Sequence, residues 1–426
     1  MMKNVRLILH EFHFGQGGRD VGCLMMKNVR LILHPKLQWL RNVVCVLVYG
    51  LVACLRPVKA DSIILATNRR AYLSDNLRWI YEELDKDLYS VRVMFVEDSH
   101  TPRRVISDLR FITAMAQTQV TIVDDFLPVV YPVKLRPGTR LVQVWHALGA
   151  LKRVGYSRGG KHGGPIASSI SHKNYTDVIV SADSIRQDFA SAFGVPLAVV
   201  HATGAPRSDL FFNADKQKSA LARLYQAVPQ VRGRRVILFA PTFRGPDKKS
   251  AYYPDSFLDL ARIGAALGPN DILALRLHPF VKQAPVIPPD YRDRIVDLGS
   301  YPEFNHLLLA CDLLVTDYSS AIFDYALLGR PLVFYVPDLA AYWQQHGFYY
   351  PFTDYTYGPV VDDLDSLLAA LTTARVDQAR LERFRHQFLN RCDGRATQRF
   401  LETVLPDDVT AATPRAANPA REGVLR

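Results

Sequence analysis

The sequence predicts an α/β protein made of two successive parallel-sheet units. Three observations carry this. From residue 61 onward, short apolar runs alternate with helical patterns, and strands separated by helices imply parallel pairing through crossovers. The alternation pauses and restarts around residues 203–232. Several runs end abruptly in polar motifs, at the ends of strands where such folds bind ligands.

In the first unit, residues 62–66, 91–96, 120–123, 141–145, 178–180 and 199–200 read as strands, with helical spacing over 76–84 and 105–116. In the second, 236–240, 272–276, 295–296, 313–315 and 332–335 read as strands, with helices over 303–310 and 322–328. The helical stretches 378–390 and 395–404 are expected to pack back on the first unit. Residues 406–426, rich in Ala, Pro and Thr without apolar period, are expected to be disordered.

The start of the chain is unusual. MMKNVRLILH at residues 1–10 recurs letter for letter at 25–34, which reads as a duplicated or mis-started frame and not as a structural repeat. Residues 43–55 are apolar between Arg41 and Arg56. That run is too short for the ~20 residues of a spanning helix. With Trp39, Tyr49 and basic residues at its flanks, it suits either a membrane interface or a buried helix.

Lys and Arg number 52 against 41 Asp and Glu, a net charge of +11. The excess suits anionic partners such as nucleotides, phosphate polymers or an acidic membrane surface. No nucleic-acid-binding pattern is present, so a nucleic-acid partner is not expected. The five cysteines are scattered without a CxxC, which fits a reducing compartment and neither a disulfide framework nor a zinc site. No histidine–carboxylate cluster has metal-ligand spacing, and there is no Walker A loop, GxGxxG or GxSxG, so neither a metal nor a cofactor is expected.

Chemistry concentrates at four strand ends. Thr316-Asp317-Tyr318-Ser319-Ser320 follows an apolar run and precedes a helical one, so Ser319 and Ser320 fall at a helix start, where free N–H groups suit a phosphate. The same pattern also serves as a plain N-cap. His146 follows the 141–145 run, and Arg276-Leu277-His278-Pro279 ends another. Ala240-Pro241-Thr242-Phe243-Arg244 ends a third, with proline stopping the strand. Histidine suits proton transfer near neutrality. Arg207, Arg244 and Arg276 suit bidentate phosphate contacts. The glycine-rich, basic loop 157–164 reads as either an anion clamp or a surface loop.

These motifs, with Gly204-Ala205-Pro206-Arg207-Ser208-Asp209, Phe323-Asp324-Tyr325, Gly329-Arg330-Pro331, Gly347-Phe348-Tyr349-Tyr350 and Asp393-Gly394, occur in the order found in one family. Over roughly residues 60–400 the chain resembles the CDP-glycerol:poly(glycerophosphate) glycerophosphotransferases, the teichoic acid primases and polymerases. The resemblance implies a GT-B architecture, two Rossmann-like domains flanking a cleft. It implies transfer of glycerol phosphate from CDP-glycerol to a hydroxyl of a lipid-linked acceptor, releasing CMP, at the cytoplasmic face of the membrane. It implies that His146 and His278 are the essential histidines, and that Arg207, Pro241, Thr242, Arg276, Ser319, Ser320 and Asp324 line the CDP-glycerol site.

The expected division is a duplicated, disordered 1–24, a membrane-interface helix in 25–59, an acceptor domain 60–205, a CDP-glycerol domain 206–404 and a disordered 405–426. The stretch His146-Ala147-Leu148-Gly149-Ala150-Leu151 is one residue longer than in many polymerases and closer to primase-like members. His146 is expected to be the base, although sequence does not order the two histidines. CDP-ribitol as donor and a sugar-nucleotide glycosyltransferase or epimerase are the alternatives.

Overall fold

The computed structural model describes residues 38–97, 102–159, 164–165, 168–245, 249–283 and 285–405. The duplicated segment, the centre of the glycine-rich loop and the tail from 406 lie outside the described residues.

Two six-stranded parallel sheets form the frame. The first contains β1 (Lys59–Thr67), β2 (Ser90–Phe95), β3 (Thr118–Val123), β4 (Arg140–Gln143), β5 (Asp177–Ile179) and β6 (Val200–His201), in the order β2-β1-β3-β4-β5-β6. The second contains β7 (Arg235–Phe239), β8 (Asp271–Leu275), β9 (Ile295–Asp297), β10 (Leu313–Thr316), β11 (Leu332–Tyr335) and β12 (Val360–Val361), in the order β12-β11-β10-β7-β8-β9. This is the GT-B-like, two-Rossmann arrangement. Helices α1 (Gln38–Leu55), α2 (Asp75–Glu83), α3 (Pro102–Met115), α4 (Arg186–Phe193), α5 (Ala214–Ala227) and α6 (Leu260–Ala266) come first along the chain. Then come α7 (Phe304–Ala310), α8 (Ala321–Ala326), α9 (Leu339–His346), α10 (Leu364–Thr373), α11 (Gln378–Phe388) and α12 (Ala396–Val404).

The central strands read as unbroken apolar runs because helices cover both faces of a parallel sheet. Ile63, Ile64, Leu65 and Ala66 in β1, and Leu313, Leu314 and Val315 in β10, are all buried. Each sheet reverses direction at one place, between β1 and β3 in the first and between β7 and β10 in the second. Crevices at such reversals, beyond the carboxyl ends of the strands, are where ligands bind. The loops there carry Arg69 and Arg70, Asp124 and Asp125, Pro241 to Arg244, and Asp317 to Ser320.

The two units share packing and backbone. Gly149 has φ +62°, and a Cβ placed on it would lie 2.2 Å from Phe323 Cε1 of α8. Only a residue without a side chain lets these segments meet. Tyr349 N donates to Leu151 O at 3.0 Å and Arg153 N to Gly347 O at 3.2 Å, so two of the sequence motifs pair directly. Helix α12 lies in the core of the first unit, where Phe400 and Val404 pack with Ile63, Leu65 and Leu77.

Helix α1 is longer than the apolar run that announced it. It covers 18 residues and is long and apolar enough, by length and composition, to cross a membrane. One side docks on the first unit through buried Cys45 and Tyr49, whose hydroxyl accepts from Arg136 N at 3.2 Å. Trp39, Leu47, Leu51 and Leu55 are exposed.

Candidate active site

In the second unit, the site begins where β7 and β10 end. Pro241 follows β7 and donates no backbone hydrogen bond. Thr242 donates from N (2.8 Å) and Oγ1 (3.0 Å) to Oδ1 of buried Asp317. Asp317 Oδ2 accepts from Arg244 Nη1 at 2.9 Å, and the rest of that guanidinium grips Asp338 at 2.6 and 2.8 Å. Burial works against the Arg244 charge, but Asp338 and Asp317 more than offset it and raise its pKa. Arg244 was expected to hold phosphate. Instead it is a buried strut between the β7 loop, the β10 loop and the start of α9, because two carboxylates take its donors. Ser319 and Ser320 are half-buried at the start of α8, where Ser319 Oγ accepts from Ala321 N at 3.2 Å.

Arg276 follows β8, and its guanidinium donates to Leu298 O at 3.3 Å and to Gly299 O. Burial and the charge of Arg70 both hold its pKa below the usual range. Arg70 comes from the first unit and donates to Pro302 O of the second at 2.9 Å. Two guanidiniums therefore approach from opposite units, which suits a diphosphate. Two residues on, the His278 ring lies 4.8 Å from Phe243 and 4.5 Å from Phe280, centroid to centroid. Its Nδ1 accepts from Phe280 N at 3.2 Å. In the neutral ring the proton then sits on Nε2, making that atom a donor.

In the first unit, β4 ends in a strained turn. Trp145 has φ +48°, and it is buried against Phe193, ring centroids 5.3 Å apart. Gln143 Oε1 accepts from Trp145 N at 2.8 Å, and Asn76 Nδ2 donates to Trp145 O at 2.8 Å. This turn delivers His146 with Nδ1 3.5 Å from Asp125 Oδ1. Burial pushes Asp125 up, but His146 and Arg69 win and hold it down at about 2. Its neighbour Asp124 is pushed up to about 6 by burial, only partly offset by Arg69.

Arg207 and Asp324 were both expected to line the donor site. They grip each other instead, at 3.0 Å (Nε–Oδ1) and 2.8 Å (Nη2–Oδ2), both buried. Arg207 Nη1 also donates to His146 O. Among the described residues no hydrogen bond joins His146 to His278. Charge couples their loops: Asp75 interacts with both His146 and Arg70, and Arg70 with Arg276. Sequence reasoning missed Asp125 and Arg70. The signal was present, because each follows a strand run as a polar corner, but neither belongs to a recognised motif.

The family profile described as CDP-Glycerol:Poly(glycerophosphate) glycerophosphotransferase matches residues 48–406. The chain is 37% identical over 375 residues to a teichoic acid poly(ribitol-phosphate) polymerase of Bacillus spizizenii, covering 87% of this chain and 59% of that protein. It is 27% identical over 396 residues to a teichoic acid poly(glycerol phosphate) polymerase of Bacillus subtilis, covering 87% of this chain and 52% of that protein. The chain thus spans little more than half the length of these two relatives. A solved structure of the wall teichoic acid polymerase TagF superposes with a TM-score of 0.71 at 21% identity, covering 91% of this chain and 98% of the other. That likeness is one of fold.

Proposed function

The chain belongs to the CDP-glycerol:poly(glycerophosphate) glycerophosphotransferase family, and on that premise we propose that it transfers a polyol phosphate from a CDP-linked donor to a hydroxyl of a teichoic acid acceptor, releasing CMP. The acceptor oxygen attacks the β-phosphorus. A new P–O bond forms, the bond between the β-phosphorus and the bridging oxygen breaks, and the electron pair leaves with CMP. His146 Nε2 takes the hydroxyl proton. His278 Nε2–H and the guanidiniums of Arg276 and Arg70 meet the charge on the diphosphate. Ser319 and Ser320 hold its oxygens at the start of α8.

The carrying observation is the different seating of the two imidazoles. His146 has a carboxylate 3.5 Å behind Nδ1, and that negative charge favours a proton on the near nitrogen, which supports reading Nε2 as the base. His278 accepts a backbone N–H at Nδ1, which leaves Nε2 as a donor. The assignment is tested by CMP release from purified protein. His146→Ala and His278→Ala should each lose about 10²–10⁴-fold with the fold intact. Near-wild-type turnover by both would reject it.

Ribitol phosphate is proposed as the first candidate group, because the ribitol-phosphate relative is 37% identical and the glycerol-phosphate relative 27%. Glycerol phosphate, the group expected from the motifs and named by the family, is the second. Incubation with CDP-ribitol and CDP-glycerol in parallel separates them. The reading includes a lipid-linked acceptor at the cytoplasmic membrane surface, supported by exposed Trp39, Leu47, Leu51 and Leu55 on α1. Co-sedimentation with anionic vesicles tests it, and loss of binding in Leu47→Ser/Leu51→Ser is the expected result.

A further inference from the structure

A recess of about 230 Å³ opens between α2 of the first unit and α5 and α7 of the second. Asp75, Arg78 and Trp79 line one side, and Arg223, Glu303 and Asn305 the other. Arg207 also lines it, and its Nη1 donates to the backbone carbonyl of His146, which ties the recess to the turn that carries the proposed base. The walls are pinned: Lys216 of α5 reaches Glu82 at 3.0 Å and Glu83 at 3.3 Å on α2.

The lining differs from the struts nearby. Arg207 and Arg244 spend their donors on carboxylates. By contrast, Arg223, Glu303 and Asn305 make no side-chain hydrogen bond or ion pair among the described residues. A guanidinium, a carboxylate and a carboxamide therefore face one small space with their bonding capacity unspent. Burial, reinforced by the charge of Asp75, raises the Glu303 pKa against the opposing charges of Arg70, Arg78 and Arg223, so a hydrogen-bonding partner for that carboxyl group would relieve a cost. The volume is below the ~300–1,000 Å³ of sites that enclose drug-sized molecules, and it suits one small polar unit.

We infer that this recess is an acceptor subsite for the terminal polyol-phosphate unit of the growing polymer, with polyol hydroxyls on Glu303 and Asn305 and the phosphodiester on Arg223. The inference rests on the reading of the chain as a polyol-phosphate transferase. A polyol unit presents hydroxyl donors and one anionic phosphate, which matches a carboxylate and amide beside a guanidinium. The free terminal hydroxyl would then lie toward Arg207 and His146.

The test uses the full chain with synthetic trimers of ribitol phosphate and of glycerol phosphate as acceptors, and CDP-ribitol and CDP-glycerol as donors. Arg223→Gln and Glu303→Gln should each raise the acceptor KM about tenfold while the donor KM stays within about twofold. Arg223→Lys should recover part of the loss. Arg223 is exposed, so its replacement leaves the core packing intact. Normal CMP release with an unmoved acceptor KM in both variants would overturn the subsite alone. Absence of CMP release by the unaltered chain would overturn the transferase reading and the subsite with it.

Discussion

Oδ1 of Asp125 stands 3.5 Å behind Nδ1 of His146, and the two reach that position from different strands, β3 and β4. Asp125 stays ionised at every pH near neutrality, because its pKa lies at about 2. Its expected role is to hold the imidazole in one tautomer and orientation. Asp125→Asn should lower kcat by about 10²-fold with the donor KM nearly unchanged. Steady-state CMP release checks this, and an unaltered kcat removes Asp125 from the mechanism.

The two histidines should respond differently to glutamine. A glutamine amide can donate a hydrogen bond from roughly the place of Nε2 but cannot accept a proton as a base. His278→Gln should therefore recover about tenfold over His278→Ala, whereas His146→Gln should match His146→Ala. Parallel kcat measurements on the four variants decide it. The opposite pattern would exchange the roles.

The Arg207–Asp324 pair should behave as a buried ion pair. Arg207→Met leaves a carboxylate buried without a partner and should cost about 3–5 kcal/mol, whereas Arg207→Met with Asp324→Leu should recover much of that. Differential scanning calorimetry reads both. Equal losses in the single and double variants would show that the pair adds nothing beyond its two side chains.

Gly149 should tolerate no substitution. Alanine there meets the Phe323 ring and adopts a left-handed backbone at φ +62°. The combined cost should be about 2–4 kcal/mol, visible as a lower Tm. Phe323→Leu in the Gly149→Ala background should restore part of it by making room.

Asp124 sets a pH dependence of stability. Its folded pKa of about 6 lies above the ~3.9 of an unfolded carboxyl group, so between these values the folded chain holds more of the proton. Stability from this group is full below about pH 4, falls as pH rises through 6, and stays lower above. Asp124→Asn should match the parent near pH 4 and exceed its Tm at pH 7.5. A pH-independent difference would mean that the carboxyl group does not titrate as described.

The frame was legible because burial leaves a local trace. The β1, β7 and β10 runs are continuous because both faces of their sheets are covered, and the polar corners after β4, β8 and β10 stand out against them. The charge partnerships left no such trace. Arg207 and Asp324 are 117 positions apart, and Arg244 and Asp338 are 94 apart. A motif shows that an arginine occurs, not that a distant carboxylate has claimed it, so Arg244 read as a phosphate holder and folded as a strut. Helix α1 was underestimated for a related reason: Gln38, Arg41 and Asn42 break the apolar run, yet polar residues of this kind cost a helix little.

The return of α12 to the first unit means that the polypeptide passes between the two lobes twice, once near residue 205 and again along α11, which stacks Phe384 on Phe323 of one lobe and accepts at Phe388 O from Ser181 of the other. A lobe tethered at one point can swivel about any axis. A lobe tethered at two loses most of those axes and turns most freely about the line through both, so the second crossing narrows the ways in which the lobes can part. Cutting the chain after α11 would release one tether and also strip Phe400 and Val404 from the opposite lobe's interior.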